Sequence, residues 1–210
     1  MTTLPAINVA IIASPAVFDI DGSTNLNIRL SLKLRHDRPI TLHKRYTSLF
    51  DGKILHYPGL TFTNIETGQR VPRNTREICY FDGEGEISWA TRREYVTLYP
   101  EEQHIVETGF APRSVGGREK TSFAASFLRW LRFAGFKDGQ TYRIGISDEA
   151  LVSEWLEGTT WEILGWQMLG WTPTTMRANV RYTVVESSSF TIRRSDADKR
   201  PETPLSDNLD

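Results

Sequence analysis

Between Leu26 and Arg35 the chain alternates strictly. Leu26, Ile28, Leu30, Leu32 and Leu34 are apolar, and Asn27, Arg29, Ser31, Lys33 and Arg35 are polar. A period of two places the apolar set on one face of a strand and the polar set on the other. The segment predicts a half-buried strand in antiparallel pairing. Ala6–Ser14 reads as a shorter strand closed by Ser14-Pro15, and Asp19–Asn25 as a turn with Gly22 supplying its freedom. His36–Pro39 turns the chain, and Ile40 to Leu49 alternates more loosely through Ile40, Leu42, Lys44 and Tyr46. Further β-rich pieces are Leu60–Ile65, Glu77–Phe81, Tyr95–Tyr99, Gln103–Gly109, Thr141–Ser147, Val180–Val185 and Phe190–Ile192. Turn chemistry separates them at Glu66–Gln69, Asp82–Gly85 and Pro100–Glu102. Many short strands between turns predict a β-sandwich or barrel.

Two stretches carry a helical period instead. Phe123, Phe127, Trp130, Leu131 and Ala134 fall on one stripe, flanked by Ser122, Ser126, Arg129 and Arg132. Thr121 or Ser122 would cap its start and Gly135 its end. Asp148–Glu157, carrying Leu151, Trp155 and Leu156, predicts a second short helix. Residues 195–210 are almost wholly polar and cannot bury enough apolar area to offset their ordering entropy, so they predict a disordered tail. No linker divides residues 1–194, which predict a single β-sandwich domain with insertions at about 110–136 and 148–175.

Motif order adds a resemblance. The strand Leu26–Arg35 and its Pro-containing turn are followed by Leu60–Gln69, then Tyr95-Val96-Thr97-Leu98-Tyr99-Pro100-Glu101-Glu102, then Asp138-Gly139-Gln140-Thr141-Tyr142-Arg143-Ile144. Over about residues 26–147 this resembles fungal immunoglobulin-like β-sandwich proteins and the non-catalytic β-domain that accompanies deuterolysin-type metalloproteases. More distantly it is similar to the bacterial intracellular proteinase-inhibitor sandwich. The resemblance implies a mainly β, immunoglobulin-like antiparallel β-sandwich of about seven to nine strands, with one or two short helices in insertions. It implies no protease activity, because the zinc motif His-Glu-x-x-His is absent: His36, His43, His56 and His104 precede Asp37, Lys44, Tyr57 and Ile105.

Composition narrows the function. The chain has 210 residues, with Lys+Arg 25 against Asp+Glu 26 and a formal net charge of -1. A nucleic-acid partner is not expected without a basic excess to displace counterions. The runs Lys33–Arg38 and His43–Arg45 read as a solvated basic flank. No apolar run reaches the roughly 18–20 residues of a membrane span. Cys79 is alone, there is no Asn-x-Ser/Thr acceptor, and Val9–Ile12 follows no positively charged start. Together these predict a reducing, cytoplasmic setting.

Catalytic and cofactor signatures are missing. The single His residues and Cys79 form no metal-ligand spacing, so no metal and no cofactor are expected. Asp19-x-Asp21 with Ser23 and Asn25 opens like a calcium loop, but Thr24 and Leu30 stand where Gly and Glu are needed. Gly-x-Ser-x-Gly, a Walker loop and Gly-x-Gly-x-x-Gly do not occur. No catalytic residue is assigned.

The unusual feature is aromatic. Trp155, Trp161, Trp166 and Trp171 crowd one short stretch, with Leu164-Gly165-Trp166 echoed by Leu169-Gly170-Trp171. Five-residue spacing fits neither one helix face nor one strand face, so some of the rings should point in different directions. They fill the core, form a recognition surface, or line a pocket for an apolar or sugar ligand. With Trp130 and Arg129 of the helical stripe, they are the candidate partner- or ligand-binding residues. The expected function is a non-enzymatic interaction module, in a protease-inhibitor-like or escort role or pairing with its own copy. The alternative is a small-molecule-binding protein or a catalyst that works by pocket shape.

Overall fold

The computed structural model describes residues 4–44, 49–50, 59–72, 87–112, 135–148, 150 and 152–194. Among these the chain is mainly β, with three four-stranded sheets and one α-helix. The strands are β1 (Ala6–Ser14), β2 (Val17–Asp19), β3 (Leu26–Arg35), β4 (Ile40–His43), β5 (Leu60–Asn64) and β6 (Tyr95–Leu98). They continue with β7 (Gln103–Phe110), β8 (Thr141–Ile146), β9 (Trp155–Glu157), β10 (Thr175–Met176), β11 (Arg181–Glu186) and β12 (Ser189–Arg193). The helix α1 spans Thr160–Met168.

The first sheet runs β11-β1-β3-β7, the second β2-β12-β8-β5 and the third β10-β9-β4-β6. The alternation of β3 is realised in full: its five apolar residues are buried and its polar ones face outward. There Arg29 bonds Glu107 at 2.9 Å and Lys33 meets Glu101 at 2.5 Å, both carboxylates lying on or beside β7. Lys33, of the expected basic flank, is therefore paired rather than free. Arg38 likewise pairs with Glu157, and His43 Nε2 lies 3.3 Å from Glu94. The His36 side chain is buried rather than solvated; it is 2% exposed and its ring stands edge-on to Trp155.

One large core joins the three sheets. Ile7, Val9 and Ile11 of β1 and the buried row of β3 contribute from the first. Phe18, Phe62, Tyr142, Ile144, Phe190 and Ile192 contribute from the second, and Ile40, Leu42, Val96, Leu98 and Trp155 from the third. Rings join the first two sheets. Phe110 at the end of β7 packs on Phe62 with centroids 5.6 Å apart, and Phe62 in turn meets Phe136 and Phe190. The buried Tyr142 hydroxyl accepts the Lys137 N–H at 2.8 Å and donates to Gln140, so its polar end is satisfied.

Several expectations are corrected. Two of the pairings among the described residues are parallel, β1 with β11 and β2 with β12, each joining strands distant in the chain, as parallel pairing requires a long crossover. Among the described residues twelve strands occur where about seven to nine were expected, since short pieces such as β2 and β10 lack any legible period. Asp148–Glu157 is not a helix: Trp155–Glu157 forms β9, pairing with β4 and β10. The helix begins three residues later. The predicted strand Glu77–Phe81, the stripe Phe123–Ala134 and the polar tail 195–210 lie outside the described residues.

Candidate functional site

The segment that follows β9 is built around a turn and a cap. Gly158 has φ +106°, a conformation that disfavours any side chain, and a Cβ there would come 3.1 Å from the Trp166 ring. Its N–H donates to Pro39 O at 2.8 Å, and its carbonyl accepts the Thr41 hydroxyl at 2.8 Å. Thr41, Thr97 and Thr160 continue as a chain of hydroxyls at 2.9 and 3.0 Å, and Thr160 N–H donates to Thr97 Oγ1 at 3.0 Å. This chain ties the first turn of α1 to β4 and β6. Thr159 caps the helix. Its Oγ1 accepts the Glu162 N–H at 3.1 Å while the Glu162 carboxylate accepts the Thr159 N–H at 2.7 Å. The backbone bond from Thr159, followed by its side-chain bond, holds the Glu162 carboxyl below its ordinary pKa.

The helix is apolar on more than one side. Ile163 and Leu164 are buried in a small second cluster with Leu156 of β9 and Ile87, and Tyr95 and Trp166 pack against its margin. The opposite side carries Trp161, Gly165, Met168 and Leu169 at i, i+4, i+7 and i+8, the spacing of one helical face. That side faces solvent. Trp161 is 61% exposed, and Met168 and Leu169 are each 74% exposed. Trp171, just past the helix, is 69% exposed.

Trp161 is joined by a residue from another part of the chain. Trp89 lies with its centroid 5.5 Å from Trp161 and its ring tilted by 55°. It is 49% exposed, and the Arg92 guanidinium sits 5.8 Å above its ring. Arg92 also donates to Trp89 O, while Lys44 Nζ donates to Arg93 O at 2.9 Å. The result is an exposed aromatic pair with the Arg92 guanidinium over one of its rings. The short Ser88–Thr91 turn holds Trp89 in place through the Ser88 N–H to Thr91 Oγ1 bond at 2.9 Å and its reciprocal at 3.2 Å.

The sequence-predicted tryptophans thus separate. Trp155 is core, 5% exposed, with its indole N–H donating to Ala178 O at 3.1 Å. Trp166 is half-buried against the small cluster. Trp161 and Trp171 are surface residues. Trp130 and Arg129 lie outside the described residues. Trp89 and Arg92 were absent from the predicted set. Their only sequence signal is an aromatic three residues before paired arginines, Trp89-Ala90-Thr91-Arg92-Arg93, in a stretch without periodicity.

No tryptophan lines either of two surface recesses among the described residues. One is bordered by Val17, Asp19, Asp138, Thr191 and Arg193, the other by Thr63, Arg70, Arg143 and Gly145. No cluster of three or more His, Cys, Asp or Glu gathers among the described residues. No helix among them is long and apolar enough to cross a membrane. No family model, curated protein or solved structure matches the chain.

Proposed function

We propose that this chain is a non-enzymatic interaction module that docks another protein on the solvent side of α1 and Trp89. The observation that carries this reading is the exposed Trp89–Trp161 pair, continued along α1 by Met168 and Leu169. Large apolar side chains left in water forgo about 1.5–3 kcal/mol of burial each, so several on one helix face favour a covering surface. Tryptophan provides much of the energy at protein interfaces because it buries a large rigid area at small entropic cost. The Arg92 guanidinium sits over Trp89, so the fitting partner presents an apolar segment with a carboxylate beside it.

An inhibitor-like or escort role, and the immunoglobulin-like description of the fold, are versions of this proposal. Their support is the resemblance over about residues 26–147 together with the mainly β architecture. The alternative of a small-molecule binder or pocket-shaped catalyst gains no aromatic lining from the two recesses.

Native mass spectrometry of the chain isolated gently from its source cells tests the proposal, with Trp161→Ser and Trp171→Ser variants alongside. The expected result is a second polypeptide in fixed ratio with the unsubstituted chain, lost from the variants while their melting temperature stays put. A partner retained by both variants, a chain that travels alone, or a dimer of the chain itself would overturn it.

A further inference from the structure

A second feature lies on the solvent side of the β5–β8 pair, remote in sequence from α1. Thr63 of β5 is paired with Arg143 of β8 on one side and bridged to Arg70 on the other. Residues directly opposite in a ladder share a face, so both arginines rise on the side of the Thr63 hydroxyl. With neighbouring backbones about 4.8 Å apart, the two arginine Cα atoms stand about 10 Å from each other with Thr63 between them. Long guanidinium side chains reach the centre of such a gap with ease.

The row borders a recess of about 350 Å³ whose lining also includes Gly68 and Gly145. Gly145 keeps that floor low, because a Cβ there would stand 2.8 Å from Thr61 Oγ1. Two like charges across one threonine repel unless something negative joins them. Elsewhere on the sheets cations are met by glutamates, as at Arg29 with Glu107 and Lys33 with Glu101. Arg143 has no carboxylate partner among the described residues, and Arg70 has only Asp148 Oδ2 at 3.9 Å, beyond hydrogen-bond range. That Asp148 side chain is 94% exposed and therefore cheaply displaced.

We infer that the Arg70–Thr63–Arg143 row is a binding site for a phosphate-class oxyanion. The anion sits above Thr63, accepts N–H bonds from both guanidinium forks and takes the Thr63 hydroxyl as a further donor. Planar forks on either side suit a tetrahedral dianion, whose several oxygens satisfy both at once. The site is independent of the aromatic face of α1.

The test is a titration of the full chain with inorganic phosphate at constant ionic strength, followed by 1H–15N NMR. Saturable shifts are expected at the Gly68 and Gly145 amides and the Arg143 Nε–H. Arg143→Gln and, separately, Arg70→Gln should each weaken the apparent affinity about tenfold by removing a charge-assisted pair. Arg143→Lys should retain part of it. A parallel sedimentation with phosphatidylcholine vesicles containing phosphatidic acid separates the sources. Arg143-dependent pelleting identifies a lipid headgroup, and phosphate binding without pelleting identifies a free or small-molecule phosphate. Linear shifts that never saturate, or an affinity in either Gln variant unchanged from that of the unsubstituted chain, would overturn the assignment.

Discussion

Strand β3 and helix α1 are both rich in apolar residues, and they dispose of them in opposite ways. Every apolar side chain of β3 is buried, and every outward position is polar or paired with a carboxylate. In α1 only Ile163 and Leu164 are buried, while Trp161 and Met168 stand in water. The strand is fully consumed by its own fold. The helix spends one side on the fold and leaves an equally apolar side over. Hydrophobicity alone therefore does not mark an interaction surface; apolar residues that the fold has no use for do.

Substitutions should expose this asymmetry. Leu30→Ala removes a fully buried side chain beneath two sheets and should cost about 2–5 kcal/mol, read as a lower urea midpoint. A loss under about 1 kcal/mol would mean that β3 is less consumed by the core than its burial implies. Thr159→Ala deletes the acceptor of the Glu162 N–H and should cost about 1 kcal/mol, visible as a shift in thermal midpoint. Trp161→Ala should change stability by less than about 1 kcal/mol, since it loses only an exposed ring contact with Trp89. A larger loss would make Trp161 a structural residue and remove the contrast with β3.

The smallest effect concerns pH. His104 of β7 is opposite Leu32 of β3 and packs near Phe50 with ring centroids 5.5 Å apart. Burial, helped by the charge of Lys44, holds its pKa below the ordinary 6.5. The unfolded chain therefore takes up the proton first. The contribution of His104 is complete above about pH 6.5 and declines as pH falls from there toward the folded value. The urea midpoint should drop slightly over that window, and His104→Gln should flatten the slope. An unchanged slope in the variant would assign the window to other groups.

Legibility followed how local the physics was. Strand β3 is legible from its alternation, and β5, β6 and β8 from β-rich composition between turns, because both are properties of neighbouring residues. The strand Trp155–Glu157 was misread as helix because it is three residues long and surrounded by apolar side chains that suit either period. The true helix was hidden for a related reason. Thr160–Met168 is apolar on two sides, so it shows no single stripe, and only the Thr159…Glu162 capping box marks its start. The Trp161–Trp89 pair was half legible. One partner belonged to the conspicuous tryptophan cluster, and the other lay far away in an irregular turn.

The mainly β character, the inward and outward faces of β3 and the differing directions of some of the tryptophans are all written into the order of residues along the chain. These follow from the spacing of side chains along a few residues, which backbone geometry converts directly into faces. Tertiary structure alone decided which strands run parallel, which tryptophan is core and which is surface, and that Arg70 and Arg143 flank one threonine. Those outcomes depend on contacts between residues distant in the chain. No local period encodes them, because the energy that selects them comes from surfaces meeting only after the sheets have packed.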